Sequence, residues 1–144
     1  MTFLPAAVAA LTLAMPPQSQ PTGEALLAGL FEKVEEAVRT QHNIDPVEEV
    51  GGMHQLALGE TGDLVFDLQG GSYMIVGVCD ENCSDIDIVL TTIDGALVGE
   101  DTLDDDTPVV TFEAAPGAGY HAKIAMTGCQ VAKCRTRAKV YRLG

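Results

Sequence analysis

The pattern that most restricts the fold of this chain is a strand followed by a tight turn near its middle. In residues 84–90, SDIDIVL, apolar and polar side chains alternate, so that Asp85 and Asp87 face one way and the isoleucines the other. Asp94-Gly95 follows, and this dipeptide is a strong signal for a hairpin turn. The pattern predicts a half-buried antiparallel strand that ends in a hairpin.

Short segments of this kind recur from residue 52 onward, where Val, Ile and Thr are frequent and turn residues separate the segments. A chain of 144 residues suits a single domain with a sizeable core. We predict a mainly β protein, an antiparallel β-sandwich of about eight strands with one N-terminal amphipathic helix. The sandwich is expected to occupy residues 52–144, after the Gly51-Gly52 boundary. Its predicted strands are 53–58, 63–68, 72–79, 85–92, 96–100, 109–113, 119–126 and 135–143.

The segment 23–43 is predicted to be the amphipathic helix. Thr22 is expected to cap its N-terminus, and Asn43 and Pro46 to end it. We expect its apolar stripe to cover one opening or face of the sandwich, and docking on a partner protein is the alternative. The stripe consists of apolar residues at helical spacing, namely Leu26, Leu27, Leu30, Phe31, Val34, Ala37 and Val38.

Residues 1–15, MTFLPAAVAALTLAM, form an apolar run that is shorter than the roughly 20 residues needed to span a bilayer. Small residues lie near its end, as at signal-peptide cleavage sites, although no Lys or Arg precedes the run. We interpret the run as a secretory signal peptide, with a buried or disordered N-terminus as the alternative, and residues 16–22 as a proline-rich linker. The mature chain is then expected to be periplasmic or secreted, without a transmembrane segment.

The four cysteines form two closely spaced pairs, Cys79-x3-Cys83 and Cys129-x4-Cys134. Four cysteines allow three disulfide connectivities, and four thiolates can also bind zinc. The spacing differs from that of zinc ribbons, and export favours disulfides. We favour the two local pairs, in a structural role, because no Cys-x-x-Cys redox motif is present.

The formal charge of −13 is distributed unevenly along the chain. No Lys or Arg lies between Arg39 and Lys123, whereas residues 123–144 contain six Lys or Arg and no acid. An acidic surface repels phosphates, so we expect no nucleic-acid partner. The basic C-terminal strand is expected either to pair with acidic neighbours or to form a cationic edge.

Acidic residues gather on both sides of the hairpin and form a candidate cation site. Ca²⁺ takes about six to eight oxygen ligands, and two acidic loops that a hairpin brings together can supply them. The alternative is that these side chains accept backbone N–H groups in solvated turns. The candidate ligands are Asp80, Asp85, Asp87, Asp104, Asp105 and Asp106.

No constellation of residues points to catalysis. His42, His54 and His121 lie in separate predicted elements, and no nucleophile elbow or phosphate-binding loop occurs. The chain has no Trp and three Tyr, which leaves little aromatic surface on which a sugar could stack. We therefore predict that the protein is not an enzyme.

The stretch CDENCSDIDIVLTTIDGALVGEDTLDDDTPVVTF and the later PGAGYHAKIAM resemble the bacterial pre-peptidase C-terminal domain and its small secreted relatives. The resemblance covers about residues 52–142. It implies an eight-stranded jelly-roll sandwich, and calcium binding as in some members of that family. The cysteine pairs depart from the commonest pattern and suggest a cysteine-bearing subgroup.

These observations together predict a non-catalytic, exported binding or accessory module that acts on a protein or another component of the cell envelope. The alternative is a calcium-dependent or carbohydrate-binding module that uses the acidic loops around Asp85, Asp87 and residues 104–106.

Overall fold

The computed structural model describes residues 21–144 as one helix and eight strands. The predicted signal peptide and residues 16–20 of the predicted linker lie outside the described residues. The mainly β class and the number of strands are confirmed. The elements are α1 Gly23–His42, β1 Val47–Leu56, β2 Thr61–Leu68, β3 Gly71–Cys79, β4 Cys83–Thr92, β5 Leu97–Asp101, β6 Val109–Ala114, β7 Ala118–Cys129 and β8 Cys134–Arg142.

The strands form two four-stranded antiparallel sheets that pack face to face. Sheet A has the order β1-β8-β3-β6, and sheet B has the order β2-β7-β4-β5. The chain passes from one sheet to the other at most connections, so neighbours in each sheet are distant in sequence. Among the strands of residues 21–144, only β4 and β5, which the predicted hairpin joins, are consecutive in the chain and paired in one sheet.

The main core lies between the sheets and consists of the inward-facing residues of both. In β4 the alternation places Ile86, Ile88 and Leu90 in this core, as the sequence predicts. Aromatic rings fill another part of this core. The centre of the Phe112 ring lies 5.4 Å from that of Tyr120 and 5.9 Å from that of Tyr73. The strands therefore have one buried and one outward side, except where the helix covers sheet A.

Helix α1 packs on the outer face of sheet A, over β3 and β8. Its residues Leu27, Phe31 and Val38 form a second apolar cluster with residues from both strands, namely Met74, Val76, Val78 and Tyr141. The Tyr141 hydroxyl donates to Glu35 of the helix at 3.2 Å, and burial raises the pKa of Tyr141. The apolar stripe of the helix is therefore buried against this protein's own sheet.

The helix ends differ in detail from the prediction. Thr22 makes no side-chain capping bond; instead the Gly23 N–H donates to the Glu81 carboxylate at 3.0 Å, from a loop 58 residues away. At the other end Asn43 adopts a left-handed conformation and its N–H donates to the Arg39 carbonyl. No helix among residues 21–144 is long and apolar enough to cross a membrane.

The prediction for the first strand is wrong at its N-terminal end. Strand β1 begins at Val47 rather than residue 53, and Gly51-Gly52 lies inside it instead of marking a boundary. The N-terminal half of β1 forms a strand because β1 pairs with β8 along its length. In this part Glu48 Oε2 lies 3.1 Å from Lys139 Nζ. The β region therefore begins before residue 52.

Candidate interaction surface and acidic cluster

The outer face of sheet B is uncovered in the described chain, in contrast to the outer face of sheet A. One row of side chains crosses all four strands of this face, because Val65 is opposite His121, His121 is opposite Thr91 and Thr91 is opposite Leu97. Residues in direct register share a face and touch. Val65 and Leu97, at the two ends of the row, are 61% and 63% exposed. We call these four residues the sheet B row.

Polar and charged side chains flank the sheet B row. The next row contains Asp63, Lys123, Val89 and Glu100 in register, and Asp67 lies on the other side. A short contact of 2.7 Å joins His121 Nε2 to Asp63 Oδ1. The sequence does not indicate this pair, since only strand pairing brings residues 58 positions apart together. The pair lies on an open sheet surface, unlike a catalytic pair in a concave pocket.

Several acidic residues converge at one end of sheet B, where β4 begins and β5 ends. Asp101 at the end of β5 is opposite Ile88, and the Ile86 N–H donates to the Asp105 carbonyl at 3.1 Å. These contacts hold the loop after β5 beside the start of β4. Burial, and after it the nearby charges of Asp85, Asp101, Asp105 and Asp104, raises the pKa of Asp87 above its ordinary value of 3.8.

Two of these carboxylate oxygens have no hydrogen-bond partner among the described residues. The Oδ1 atoms of Asp85 and Asp87 are buried and accept no hydrogen bond. Asp101, in contrast, accepts the N–H groups of Leu103 and Val109 at 3.2 and 2.9 Å. The acidic cluster, which we define as Asp85, Asp87, Asp101, Asp104 and Asp105, therefore combines loop capping with uncompensated charge.

The other two candidate ligands have separate environments. The Asp80 carboxylate accepts the backbone N–H groups of Asn82 at 3.1 Å and Arg135 at 2.8 Å, so both of its oxygens are used within the protein. Asp106 accepts the Thr107 hydroxyl at 3.1 Å. In residues 21–144 no group of three or more His, Cys, Asp or Glu side chains is placed to hold a metal ion. Calcium binding stays a prediction.

Two disulfides join Cys79 to Cys83 and Cys129 to Cys134, which are the local pairs favoured from the sequence. They lie together at one end of the sandwich, since Cys83 and Cys129 are opposite each other in sheet B. The first disulfide closes the loop that holds Glu81, whose pKa is lowered by the hydrogen bond from Gly23. This loop therefore fastens the start of α1 to the sandwich.

The basic residues of β8 are used on the sheet A side. Arg135 lies 4.0 Å from Glu24 of the helix, and Arg142 lies 3.3 Å from Glu49 of β1. Lys139, besides its contact with Glu48, lies 4.7 Å from the centre of the Phe31 ring. The basic strand pairs with acidic neighbours, which was one of the two outcomes expected from the sequence.

The remaining candidate residues do not form a site together. His54 contacts the Asp63 carbonyl at 3.1 Å, whereas His42 lines a groove of about 170 Å³ beside the end of the helix. All three tyrosines are buried, at Tyr73, Tyr120 and Tyr141. None of them offers an exposed ring on which a sugar could stack.

These features define a disulfide-bonded β-sandwich with one covered and one open face. No protein-family model matches the sequence, nor does any curated protein. Among solved structures, the chain is similar to the pre-peptidase C-terminal domain of a collagenase from Bacillus anthracis, with 14% identity over 65% of this chain and 89% of that one and a TM-score of 0.51. It is also similar to PliG from Aeromonas hydrophila, a periplasmic inhibitor of g-type lysozyme, with 8% identity, 65% and 85% coverage and a TM-score of 0.44.

The first likeness shows the fold alone. The chain has a sandwich like that of a pre-peptidase C-terminal domain, as the sequence resemblance implied. Membership of that family stays a prediction.

Proposed function

We propose that the chain is an exported, non-catalytic accessory module that binds another protein through the outer face of sheet B. The observation that supports this proposal is the sheet B row, in which Val65 and Leu97 expose most of their apolar surface on a face that no described element covers. The polar side chains of His121 and Thr91 lie between these two apolar ends, and interfaces between proteins combine polar and apolar surface in this way.

The contrast between the two faces of the sandwich favours sheet B over the helix as the contact surface. The apolar stripe of α1 is already buried, with Leu27 and Phe31 almost fully covered by sheet A. Docking of the helix on a partner would first require the loss of these contacts. The outer face of sheet B needs no such rearrangement.

Export is part of the proposal because of the two disulfides. Disulfides persist in oxidising compartments such as the periplasm and the cell exterior. The pairs Cys79–Cys83 and Cys129–Cys134 agree with the predicted signal peptide in this respect. Both support a periplasmic or secreted location.

Affinity capture with matched variants tests the proposed surface. The protein is immobilised and incubated with a cell-envelope extract, and the retained proteins are compared for wild type, Val65→Ser with Leu97→Ser, and Leu58→Ser. Leu58 is 62% exposed, like Leu97, but lies in the turn between β1 and β2. We expect one protein to be retained by wild type and by the Leu58 variant and lost with the double variant.

Equal retention by all three proteins, or loss with the Leu58 variant alone, would contradict the assignment of this face. Circular dichroism and thermal unfolding of each variant show whether it is folded. Exposed positions such as these are expected to change stability by less than about 0.5 kcal/mol.

Calcium binding is a second candidate function, favoured by the unpartnered oxygens of Asp85 and Asp87 and the raised pKa of Asp87. Its test is a titration of CaCl₂ into chelator-treated protein while Tm is followed. A ligand that binds only the folded state raises Tm in a saturable way. The candidate requires that rise, and its loss with Asp85→Ala and Asp87→Ala; no change at millimolar calcium excludes it.

A further inference from the structure

We infer that the partner of the sheet B face is a protein whose contact surface combines Lys or Arg with apolar side chains. This inference rests on the proposed function. The strands of sheet B contain six Asp or Glu and a single Lys, Lys123. Five of the six acids lie on the outer side of the sheet by register, at Asp63, Asp67, Asp85, Asp87 and Glu100.

The charge of this face is not balanced within the protein. On the sheet A side, Glu24, Glu48 and Glu49 each lie within 4.0 Å of a Lys or Arg nitrogen. In residues 21–144 the one ion pair formed by the six sheet B acids is that of Asp63 with His121. Three basic residues of β8 therefore neutralise acids on the sheet A side, whereas the outer side of sheet B has five acids and one Lys, Lys123.

The acidic cluster extends this charge beyond the strands. It holds Asp104 and Asp105 near Asp87, whose pKa is raised first by burial and then by the neighbouring carboxylates, of which these two contribute least. Like charges held together in this way are relieved when opposite charge approaches. The row of Val89 and Glu100 separates the sheet B row from Asp87, so a partner that spans the face contacts both the exposed apolar ends of the sheet B row, Val65 and Leu97, and the carboxylates.

Charge complementarity favours a cationic partner over a second copy of this chain. A second copy of this chain would bring the carboxylates of one face against those of another, which opposes association. A partner with Lys or Arg around an apolar patch satisfies both parts of the surface. Its association is expected to be fast and to weaken with salt, because exposed charges are screened over roughly 10 Å at 0.1 M ionic strength.

Peptide probes test the class of partner directly. The probes are a helical peptide with one leucine face and flanking lysines, the same peptide with glutamates in place of the lysines, and a third with serines in place of the leucines. Binding is measured by isothermal titration and by NMR shifts of the folded protein. We expect the Leu/Lys peptide to bind at the sheet B row and the other two to bind at least about tenfold more weakly.

Two triple variants of equal net charge separate the face from the total charge. The face variant is Asp67→Asn, Asp87→Asn and Glu100→Gln. The control is Glu32→Gln, Glu36→Gln and Asp45→Asn, whose three acids are exposed on or just after α1. We expect the face variant to weaken binding of the Leu/Lys peptide about tenfold and the control to change it less than twofold.

Equal weakening by the two variants would mean that only net charge matters, and would overturn the inference. So would tight binding of the Glu peptide, or concentration-dependent dimerisation of the protein alone that Val65→Ser and Leu97→Ser abolish. The capture experiment with the envelope extract distinguishes failure of this inference from failure of the proposed function. Suppose that an acidic protein is retained, is lost with the Val65→Ser, Leu97→Ser double variant and is kept by the face variant. This result would overturn the inference of a cationic partner and leave the proposed function standing.

Discussion

Replacing Phe31 with Ala is expected to destabilise the protein strongly, because this side chain fastens the helix to sheet A. Phe31 is 1% exposed and belongs to the apolar cluster between α1 and sheet A. Phe→Ala changes at buried sites cost about 3–5 kcal/mol, and the helix can partly collapse into the space, which favours the lower end. The lost contact with Lys139 adds roughly 0.5–1 kcal/mol.

We therefore expect a loss of about 3–4 kcal/mol in the free energy of unfolding, measured by urea denaturation with far-UV circular dichroism. For a domain of this size that corresponds to a fall in Tm of roughly 10–15 °C. Glu32→Ala is the control, since Glu32 is the next residue of the same helix and is exposed. Its effect is expected to stay within about 0.5 kcal/mol.

A loss below about 1 kcal/mol for Phe31→Ala would contradict the role of Phe31 in fastening α1 to sheet A. It would mean that α1 is not stably packed on sheet A. The apolar residues Met74, Val76 and Val78 would then form an available surface, and the contrast between a covered and an open face would fail.

Two further predictions concern charge and the disulfides. Because the folded-state pKa of Asp87 is raised, ionisation of Asp87 reduces stability as pH rises through that pKa. Asp87→Asn should therefore increase the free energy of unfolding at pH 7 by under about 1 kcal/mol, with a matching rise in Tm, and the gain should vanish as pH falls below 3.8. Thermal unfolding between pH 3 and pH 7 checks this, and a gain that is constant with pH would contradict it. Replacing Cys79 and Cys83 by Ser should cost about 2 kcal/mol and speed hydrogen exchange in the first turn of α1, which Glu81 of that loop caps. Replacing Cys129 and Cys134 should cost a similar amount without the change in exchange, and equal exchange in both variants would show that the first loop does not hold the helix.

The elements that the sequence predicts well are those whose pattern is local. The alternation in β4 identifies Ile86 and Ile88 as core residues, and Asp94-Gly95 marks the hairpin to β5. Short spacing between cysteines makes the local pairs the simplest ones to close. The amphipathic stripe of α1 likewise predicts a buried helix face.

The start of β1 has no such local pattern. Its sequence VEEVGGMHQL contains two glycines and no regular alternation, and most of its residues are exposed or half-buried. It forms a strand because β8 supplies hydrogen bonds and basic partners for Glu48 and Glu49. Those contacts join residues about ninety positions apart and are invisible in the sequence.

The apolar run in β3 is a local signal of the position of this strand in the fold. Strand β3 contains the continuous apolar run YMIVGV, and such a run indicates a strand that is buried on both sides. This identifies β3 as a strand beneath the helix. The sheet B row had no comparable signal, because its four residues come from four strands and only the register aligns them.

Site-specific photo-crosslinking in cells that produce the protein shows whether the outer face of sheet B contacts another protein. A benzoylphenylalanine residue is placed at Val65, at Leu97, at Leu58 or at Glu32, and the cells are irradiated before the adducts are separated by mass. We expect a protein adduct of one mass from positions 65 and 97 and none from positions 58 and 32. An adduct from the helix position 32 without one from positions 65 and 97, or no adduct from either row position, would contradict it.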